Sequence, residues 1–177
     1  IEASMRRVTH YDYWQDRLMR CLLCESGADM ITYGMGEKVV PALAELLSTG
    51  CTIGDIKELP QTVILTDKDG IPNGITVDDI VLHSHEECLA DPRAQASNFR
   101  HVEEESNKMH ACRLLQQTGD QWVVVNPPYP PLTTEELDAA FDLPYTRVPH
   151  PKYKGKRIPA YELIRPSVTL HRGCFGG

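Results

Sequence analysis

The sequence predicts an α/β fold, in which an open sheet of a few strands carries helices on both faces. Helix-type and strand-type apolar patterns alternate along the first 126 residues. The run Gln121–Val125 is almost continuously apolar, which suits a strand buried on both faces. With 177 residues, of which 41% are hydrophobic and 24% charged, the chain is long enough to bury a core.

The first part of the chain is predicted to form a helix, a strand and a second helix. Apolar residues recur at three- and four-residue steps over 10–25, which predicts a helix that Gly27 ends. Residues 29–33 are β-type, and the turn Gly34–Glu37 leads into a second helix that Gly50 ends. This order suggests half of a doubly wound α/β unit.

The middle of the chain combines strand patterns with helix-capping signals. Residues 63–65 and 75–77 are predicted to form a hairpin or meander around a polar turn. Ser84 and Glu87 have the spacing of a capping box that opens a short helix. The pair Asp91-Pro92 supplies an N-cap and a first-turn proline, which predicts a polar helix to about Ser106.

The remaining elements set the predicted domain boundaries. Asn107 is expected to cap another helix that Gly119 ends, before the strand Gln121–Val125. Prolines then break the regular structure, and Thr133 with Glu136 is expected to cap a brief helix. We therefore predict an α/β domain over residues 1–126, incomplete at its front edge. A Pro-rich arm over 127–166 and the first strand of a new domain over 167–177 follow it.

Composition limits the classes of partner. The net charge is −7 without a basic block, which argues against nucleic acid. No apolar stretch approaches the roughly 20 residues that a membrane-spanning helix needs. Six cysteines are scattered among amphipathic segments, which favours buried free thiols in a reducing cytoplasm over a disulfide framework.

The last seven residues, His171–Gly177, resemble an iron–sulfur cysteine loop that is cut off partway. Cys174 follows an apolar strand pattern and is flanked by glycines, which let a loop wrap a compact cluster. Such clusters need three or four cysteines at close spacing, and the chain stops after the first. We therefore expect the chain to be an internal piece of a larger enzyme, inactive by itself.

These residues resemble the start of the cysteine-x-x-x-cysteine-x-x-cysteine loop of radical S-adenosylmethionine (SAM) enzymes. The rest of the chain resembles their YgiQ-like branch of Fe–S oxidoreductases. The matching stretches span most of the chain and include residues 1–7, 10–14, 28–37, 126–128, 142–145, 150–151 and 158–162.

The resemblance implies a function for the parent protein. Three loop cysteines would hold a [4Fe–4S] cluster whose fourth iron binds SAM, and reductive cleavage of SAM would release a 5′-deoxyadenosyl radical. Only Cys174 carries over as a metal ligand, so we expect no cofactor to be stably bound by the present chain. The expected partner is the remainder of the chain, with its radical SAM barrel. The resemblance does not identify the substrate.

The front of the chain resembles the flavodoxin-like domain, related to cobalamin-binding domains, that often precedes such barrels. The turn Gly34–Glu37 lies where doubly wound sheets bind ligands, and its backbone N–H groups could meet an anion. The alternative is a turn that only needs its glycines. The Asp-x-His-x-x-Gly pattern of the related cobalamin domains does not occur in the sequence. The alternative for the whole chain is a non-catalytic cofactor- or partner-binding α/β module.

Two cysteine and histidine groups have a metal-site alternative. Cys21 and Cys24 have the spacing of a redox pair or zinc half-site, but the predicted helix places them in its interior, which favours core packing. His83 and His85 could ligate a metal with Cys88 or Glu87, or could belong to a capped turn. A structural zinc site that combines Cys21, Cys24 and the histidines is a third possibility.

Two polar–aromatic groups could line an interface. The cluster His10–Trp14 is expected to pack against the sheet or to line a cleft toward the barrel. His150, Tyr153, Arg157 and Tyr161 could similarly line a substrate site or a domain interface.

Overall fold

A computed structural model describes residues 2–168 and divides the chain into two compact units, Ile1–Leu132 and Thr133–Gly177. Within the described range, none of the helices combines the length and apolar character that crossing a bilayer requires. The predicted boundaries at residues 126 and 166 stay a prediction. Cys174 and most of the predicted last strand lie outside the described residues.

From residue 2 onward, the first unit contains five helices, seven strands and a 3₁₀ turn at Ile53–Asp55. The helices are α1 (Glu2–Met5), α2 (Leu22–Ser26), α3 (Gly36–Ser48), α4 (His85–Ala90) and α5 (Pro92–Ser106). The strands are β1 (His10–Asp12), β2 (Arg17–Met19), β3 (Ile31–Thr32), β4 (Thr62–Thr66), β5 (Ile80–Leu82), β6 (Leu114–Thr118) and β7 (Gln121–Val125).

Five of these strands form a mixed sheet in the order β3-β4-β7-β6-β5, and flanking helices surround it. The pairs β3–β4, β4–β7 and β6–β7 are antiparallel, and β5–β6 is parallel. The antiparallel β6–β7 pair follows from its connection, because Gly119 and Asp120 alone join the strands and Gly119 adopts φ +58°. This mixed α/β architecture confirms the predicted fold class and is consistent with a partial flavodoxin-like domain.

The central strand β7 divides the core between the two faces of the sheet, as its alternating side chains require. Val123 and Val125 pack with Leu114 and the α2 residue Leu23 in one buried cluster. Val124 packs on the opposite face in a second cluster, whose other members are Ile64, Ile71, Leu115 and Trp122. The apolar run in the sequence therefore marks the strand buried on both faces, as predicted.

The helix predicted over residues 10–25 is wrong. The strands β1 and β2 pair there as an antiparallel hairpin, and only α2 is helical. The carboxylate of Asp12 accepts a hydrogen bond of 2.9 Å from the backbone N–H of Gln15, and Asp16 adopts φ +51°. These turn contacts reverse the chain in the middle of the predicted helix.

Two further predictions near the sheet are wrong. Residues 75–77 form no strand, because β4 pairs with β3 and β7 instead of with its own downstream segment. The helix expected after Asn107 is replaced by irregular chain followed by β6, whose residues Leu114 and Leu115 enter the core. Both errors involve long-range strand pairing.

The capping predictions at Ser84 and Asp91 are confirmed. Ser84 Oγ accepts from the Glu87 backbone N–H at 3.1 Å, and the Glu87 carboxylate accepts from the Ser84 N–H at 2.7 Å. The Asp91 carboxylate accepts from the Arg93 N–H at 2.9 Å at the start of α5. These two caps could be predicted from the sequence because the donor and the acceptor lie within three residues of each other.

Up to residue 168, the second unit contains two short helices and a 3₁₀ turn at Pro151–Tyr153. Helix α6 (Thr134–Phe141) begins at the predicted capping box, in which Thr133 Oγ1 accepts from the Glu136 N–H at 3.2 Å. Helix α7 (Pro159–Ile164) follows a stretch of irregular chain. The proline-rich composition of this region therefore still permits two helices. One begins at a capping box and the other at a first-turn proline.

Candidate functional site

The predicted cluster ligand, Cys174, lies outside the described residues. Between residues 2 and 168, no three His, Cys, Asp or Glu side chains come together in a group that could hold a metal ion. The described residues therefore do not supply the ligand set of an iron–sulfur cluster, and the role of Cys174 stays a prediction.

A cavity of about 260 Å³ lies in the first unit, where β3 and β7 end and β6 begins. This edge of the sheet includes the turn that the sequence singled out as a ligand site. The lining residues are Ser4, Arg7, Tyr33, Gly34, Val102, Glu105, Ser106, Ala111, Cys112, Leu114, Val125, Asn126 and Pro128.

Side-chain hydrogen bonds fix the turn that borders this cavity. The Gln61 amide donates to the backbone carbonyls of Tyr33 and Met35. Gly34 adopts φ +70°, and a Cβ there would lie 3.2 Å from Gln61 Nε2. The Tyr33 hydroxyl donates to the Asn126 carbonyl. The backbone of the turn therefore requires a glycine at position 34. This agrees with the alternative that the turn only needs its glycines.

Arg7 gives the cavity a positive charge. Its guanidinium lies 4.2 Å from the centroid of the Tyr33 ring, and within the described part of the chain no ion pair joins it to a carboxylate. Burial lowers the pKa of Arg7 and raises the pKa of Tyr33 to about 12. A half-buried cation stabilised mainly by an aromatic face retains donors for an anionic group in the cavity.

Glu105 contributes a charge that is already paired. Its carboxylate accepts from the Lys108 ammonium and from the Cys112 backbone N–H, the latter at 2.7 Å. Burial opposes ionisation, but these two hydrogen bonds hold the pKa of Glu105 below its ordinary value. Burial raises the pKa of the Cys112 thiol, which makes it a poor nucleophile. The cavity is therefore suited to binding and lacks an activated nucleophile.

The histidine group at α4 has structural contacts in place of metal ligation. His85 is buried, and its Nδ1 lies 3.0 Å from Thr9 Oγ1. The Cys88 sulfur accepts from the Asn98 amide at 3.1 Å, and Glu87 belongs to the capping box. The capped-turn interpretation of these residues is therefore confirmed.

The predicted position within a helix is wrong for Cys21 and confirmed for Cys24. Cys21 is the N-cap residue of α2, and Cys24 is the third residue of that helix. Cys21 is buried in the main core cluster, as the sequence predicted, whereas Cys24 is half-buried at its margin. The error follows directly from the helix start that was placed at residue 10.

The aromatic cluster at residues 10–14 forms the β1–β2 hairpin and its tip. Tyr13 and Trp14 are 77% and 87% exposed and contact each other edge to face, with ring centroids 5.7 Å apart. The prediction that this cluster packs against the sheet is therefore wrong for these two residues. Its alternative, a role in a cleft toward the barrel, stays a prediction.

The second unit brings its predicted residues together. His150, Tyr153, Arg157 and Tyr161 all line one cavity of about 490 Å³. Glu162 pairs with Arg157 at 2.9 Å, and the Tyr161 hydroxyl donates to the Arg147 carbonyl at 3.1 Å. The grouping of the four side chains is confirmed, and their role at a substrate site or interface stays a prediction.

Arg7 is the residue that the sequence interpretation missed as a candidate. In the sequence it is one residue of the stretch 1–7 that resembles the family. The Tyr33 ring that faces it lies 26 residues away along the chain. No local pattern in the sequence signals this contact.

Comparison with known proteins identifies the family of this chain. The family model described as "Radical SAM N-terminal" matches residues 1–167. UPF0313 proteins of Bacteroides thetaiotaomicron and Porphyromonas gingivalis are 57% and 53% identical to this chain over its whole length. The UPF0313 protein YgiQ of Escherichia coli is 35% identical, also over the whole chain.

The chain covers only 30%, 28% and 31% of these three relatives, respectively. No solved structure matches it. A family match over nearly the whole chain shows that it belongs to the radical SAM N-terminal family.

Proposed function

We propose that the whole protein reductively cleaves SAM at a [4Fe–4S] cluster, and that this chain is an internal part of it. The observation that carries the proposal is the order of two features. The family match ends at residue 167, and the sequence motif that contains Cys174, residues 171–177, begins four positions later. When bound, such a cluster supplies the electron that breaks a carbon–sulfur bond of SAM.

In this proposal Cys174 is one of three thiolate ligands, and the other two follow Gly177. The described residues offer no alternative ligand set. Three thiolates are needed to hold three irons, so one thiolate cannot retain the cluster. The present chain should therefore bind no stable cluster, whereas the whole protein should.

The part of the whole protein that lies outside this chain is the proposed partner of the first unit. The relatives are about three times as long as this chain. The exposed aromatic pair Tyr13 and Trp14 supports such a contact, because aromatic side chains are enriched in interfaces. The free state of the five described cysteines supports a cytoplasmic location for the whole protein.

A second candidate function is ligand binding by the 260 Å³ cavity. The half-buried guanidinium of Arg7, without a carboxylate partner in residues 2–168, favours this role. A small anion such as inorganic phosphate is the first probe. Arg7→Met should abolish a phosphate-dependent chemical-shift change of the Gly34 amide, while Arg17→Met on the hairpin should not.

Anaerobic reconstitution with iron and sulfide tests the cluster proposal. The whole protein should bind about one cluster per molecule and gain broad visible absorption. When the cluster is reduced, the protein should convert SAM to methionine and 5′-deoxyadenosine. Cys174→Ser should lose both. Cys112→Ser is the matched control, because that thiol is half-buried and lies outside the loop. Full cluster retention in Cys174→Ser would reject the assignment of Cys174.

A further inference from the structure

The cysteine pair of α2 occupies two positions whose side chains meet. Cys21 is the N-cap and Cys24 is the third helical residue. The same two positions hold Ser84 with Glu87 at α4, where the side chain of each residue reaches the backbone of the other. At α2 both of these positions carry thiols.

The backbone at this turn has the dimensions that a disulfide needs. The Cys24 N–H donates to the Cys21 carbonyl at 3.0 Å, which closes a four-residue turn. Such turns bring the first and fourth Cα atoms to within about 7 Å, and disulfides usually span about 4.4–6.8 Å between Cα atoms. A bond between the two sulfurs is therefore compatible with the turn that holds them.

Unequal burial gives the two thiols different roles. Cys21 is 1% exposed and packs in the core cluster with Leu23 and Ile31. Cys24 is half-buried at the edge of that cluster and is open to a small reagent. An external disulfide can therefore reach Cys24 first, and Cys21 can react only through its neighbour.

The charges around the pair favour the same order. A hydrogen bond from Cys21 lowers the pKa of Cys24 to about 7, and Arg20 adds to the effect while Glu25 opposes it. The same hydrogen bond, together with burial, raises the pKa of Cys21. Cys24 is therefore the more readily deprotonated and the more nucleophilic thiol of the pair.

We propose that Cys21 and Cys24 form a thiol–disulfide exchange site that takes low-molecular-weight disulfides as substrates. The Cys24 thiolate attacks one sulfur of R–S–S–R and forms a mixed disulfide, and the first RS⁻ leaves with the electron pair of the broken bond. Cys21 then loses its proton to solvent and attacks the Cys24 sulfur, which expels the second RS⁻. The dithiol loses two electrons, and one disulfide becomes two thiols after both RS⁻ groups take up protons. This site is independent of the proposed SAM chemistry.

Glutathione redox buffers applied to the whole protein test the site. After equilibration, acid quenching and alkylation of free thiols, trypsin releases residues 21–38, because Arg20 and Lys38 flank them. This peptide contains Cys21 and Cys24 and no other cysteine. We expect mass spectrometry to show a transition from the doubly alkylated peptide to one with an internal disulfide as the oxidised fraction rises.

Two variants identify the order of attack. Cys21→Ala should accumulate glutathione on Cys24, on the order of tenfold more than the unmodified protein does, because no thiol resolves the mixed disulfide. Cys24→Ser should leave Cys21 unreacted, because Cys21 is buried. Cys51→Ser is the matched control, since Cys51 lies in a different cluster, and it should leave the transition unchanged.

Two results would overturn the proposal. The first is a 21–38 peptide that stays fully reduced at every glutathione ratio in the unmodified, folded protein. The second is a folded Cys21→Ala protein, verified by circular dichroism, in which Cys24 carries no glutathione.

Discussion

Arg113 fixes the irregular segment between β4 and β5, and its removal is expected to destabilise the first unit strongly. The guanidinium donates to both carboxylate oxygens of Asp79 at 2.8 and 2.7 Å. It also donates to the carbonyls of Pro72 and Gly74, at 2.8 Å each. The side chains of Arg113 and Asp79 are only 13% and 4% exposed, so solvent cannot replace these contacts.

The expected cost of Arg113→Met is about 3 kcal/mol in the free energy of unfolding. Removing one partner of a buried ion pair usually costs about 3–5 kcal/mol, because the other charge stays buried. The lower end applies here, because the pair lies under a surface segment and Asp79 keeps hydrogen bonds from the Thr76 N–H and hydroxyl. Methionine retains the aliphatic part of the side chain, so packing changes little.

The same pair makes this cost depend on pH. The hydrogen bonds from Arg113 hold the pKa of Asp79 below its ordinary value. A carboxylate with a depressed folded pKa stabilises the fold above its unfolded pKa, and this stabilisation is lost as pH falls through the folded pKa. The difference between the unmodified protein and Arg113→Met should therefore be full above about pH 5 and shrink below about pH 4.

Urea unfolding followed by far-UV circular dichroism measures the effect, and a double-mutant cycle with Asp79→Asn isolates the pair. Arg157→Met is the matched control, because Arg157 makes a similar two-oxygen contact with Glu162 but is 78% exposed. That control should show no measurable loss. A loss below about 1 kcal/mol for Arg113→Met, or no coupling to Asp79, would refute the reasoning.

Three further substitutions follow from the core, a cap and a turn. Leu115→Ala should cost about 2–5 kcal/mol in urea unfolding, because Leu115 is fully buried in the sheet. Ser84→Ala should cost about 1 kcal/mol and lower the helix signal in circular dichroism, because it removes the cap of α4. Gly34→Ala should lower the melting temperature through its φ of +70° and the close Gln61 amide, whereas Gly54→Ala, with no positive φ, should not.

Local features of this fold could be predicted from the sequence because their causes are local. The capping boxes at Ser84 and Thr133 need only a hydroxyl and a carboxylate three residues apart. The central strand Gln121–Val125 is marked by composition alone, since both of its faces are buried. In these cases all the residues that determine the structure lie within one short stretch of sequence.

Long-range pairing could not be predicted in the same way. The parallel strand β5 has only three residues and depends on β6, which lies more than 30 residues later. The apolar steps that predicted a helix before α2 also fit a hairpin followed by a short helix. Asp12 and Asp16 form the turn of the hairpin, and aspartates are common in turns. These two residues are the local signal that separates the hairpin from a continuous helix.

The cavity in the first unit shows the same limit for function. Its cation comes from Arg7, its aromatic wall from Tyr33, and its paired carboxylate from Glu105. Each residue type is ordinary in its own segment, and only the packing of α5 and the loops around the sheet edge brings them together. A single sequence therefore predicts the turn at Gly34 but not the charge beside it.

The cysteine pair depends on one helix boundary. With a helix start at residue 10, Cys21 and Cys24 would follow a helical backbone already fixed by preceding turns, and packing would be their simplest role. With the start at Leu22, the same two residues become the N-cap and third position, where side chains meet across a closed turn. The reactivity of a C-x-x-C pair therefore depends on where its helix begins. For this chain the β1–β2 hairpin, which ends the preceding segment at Met19, makes that exchange chemistry accessible.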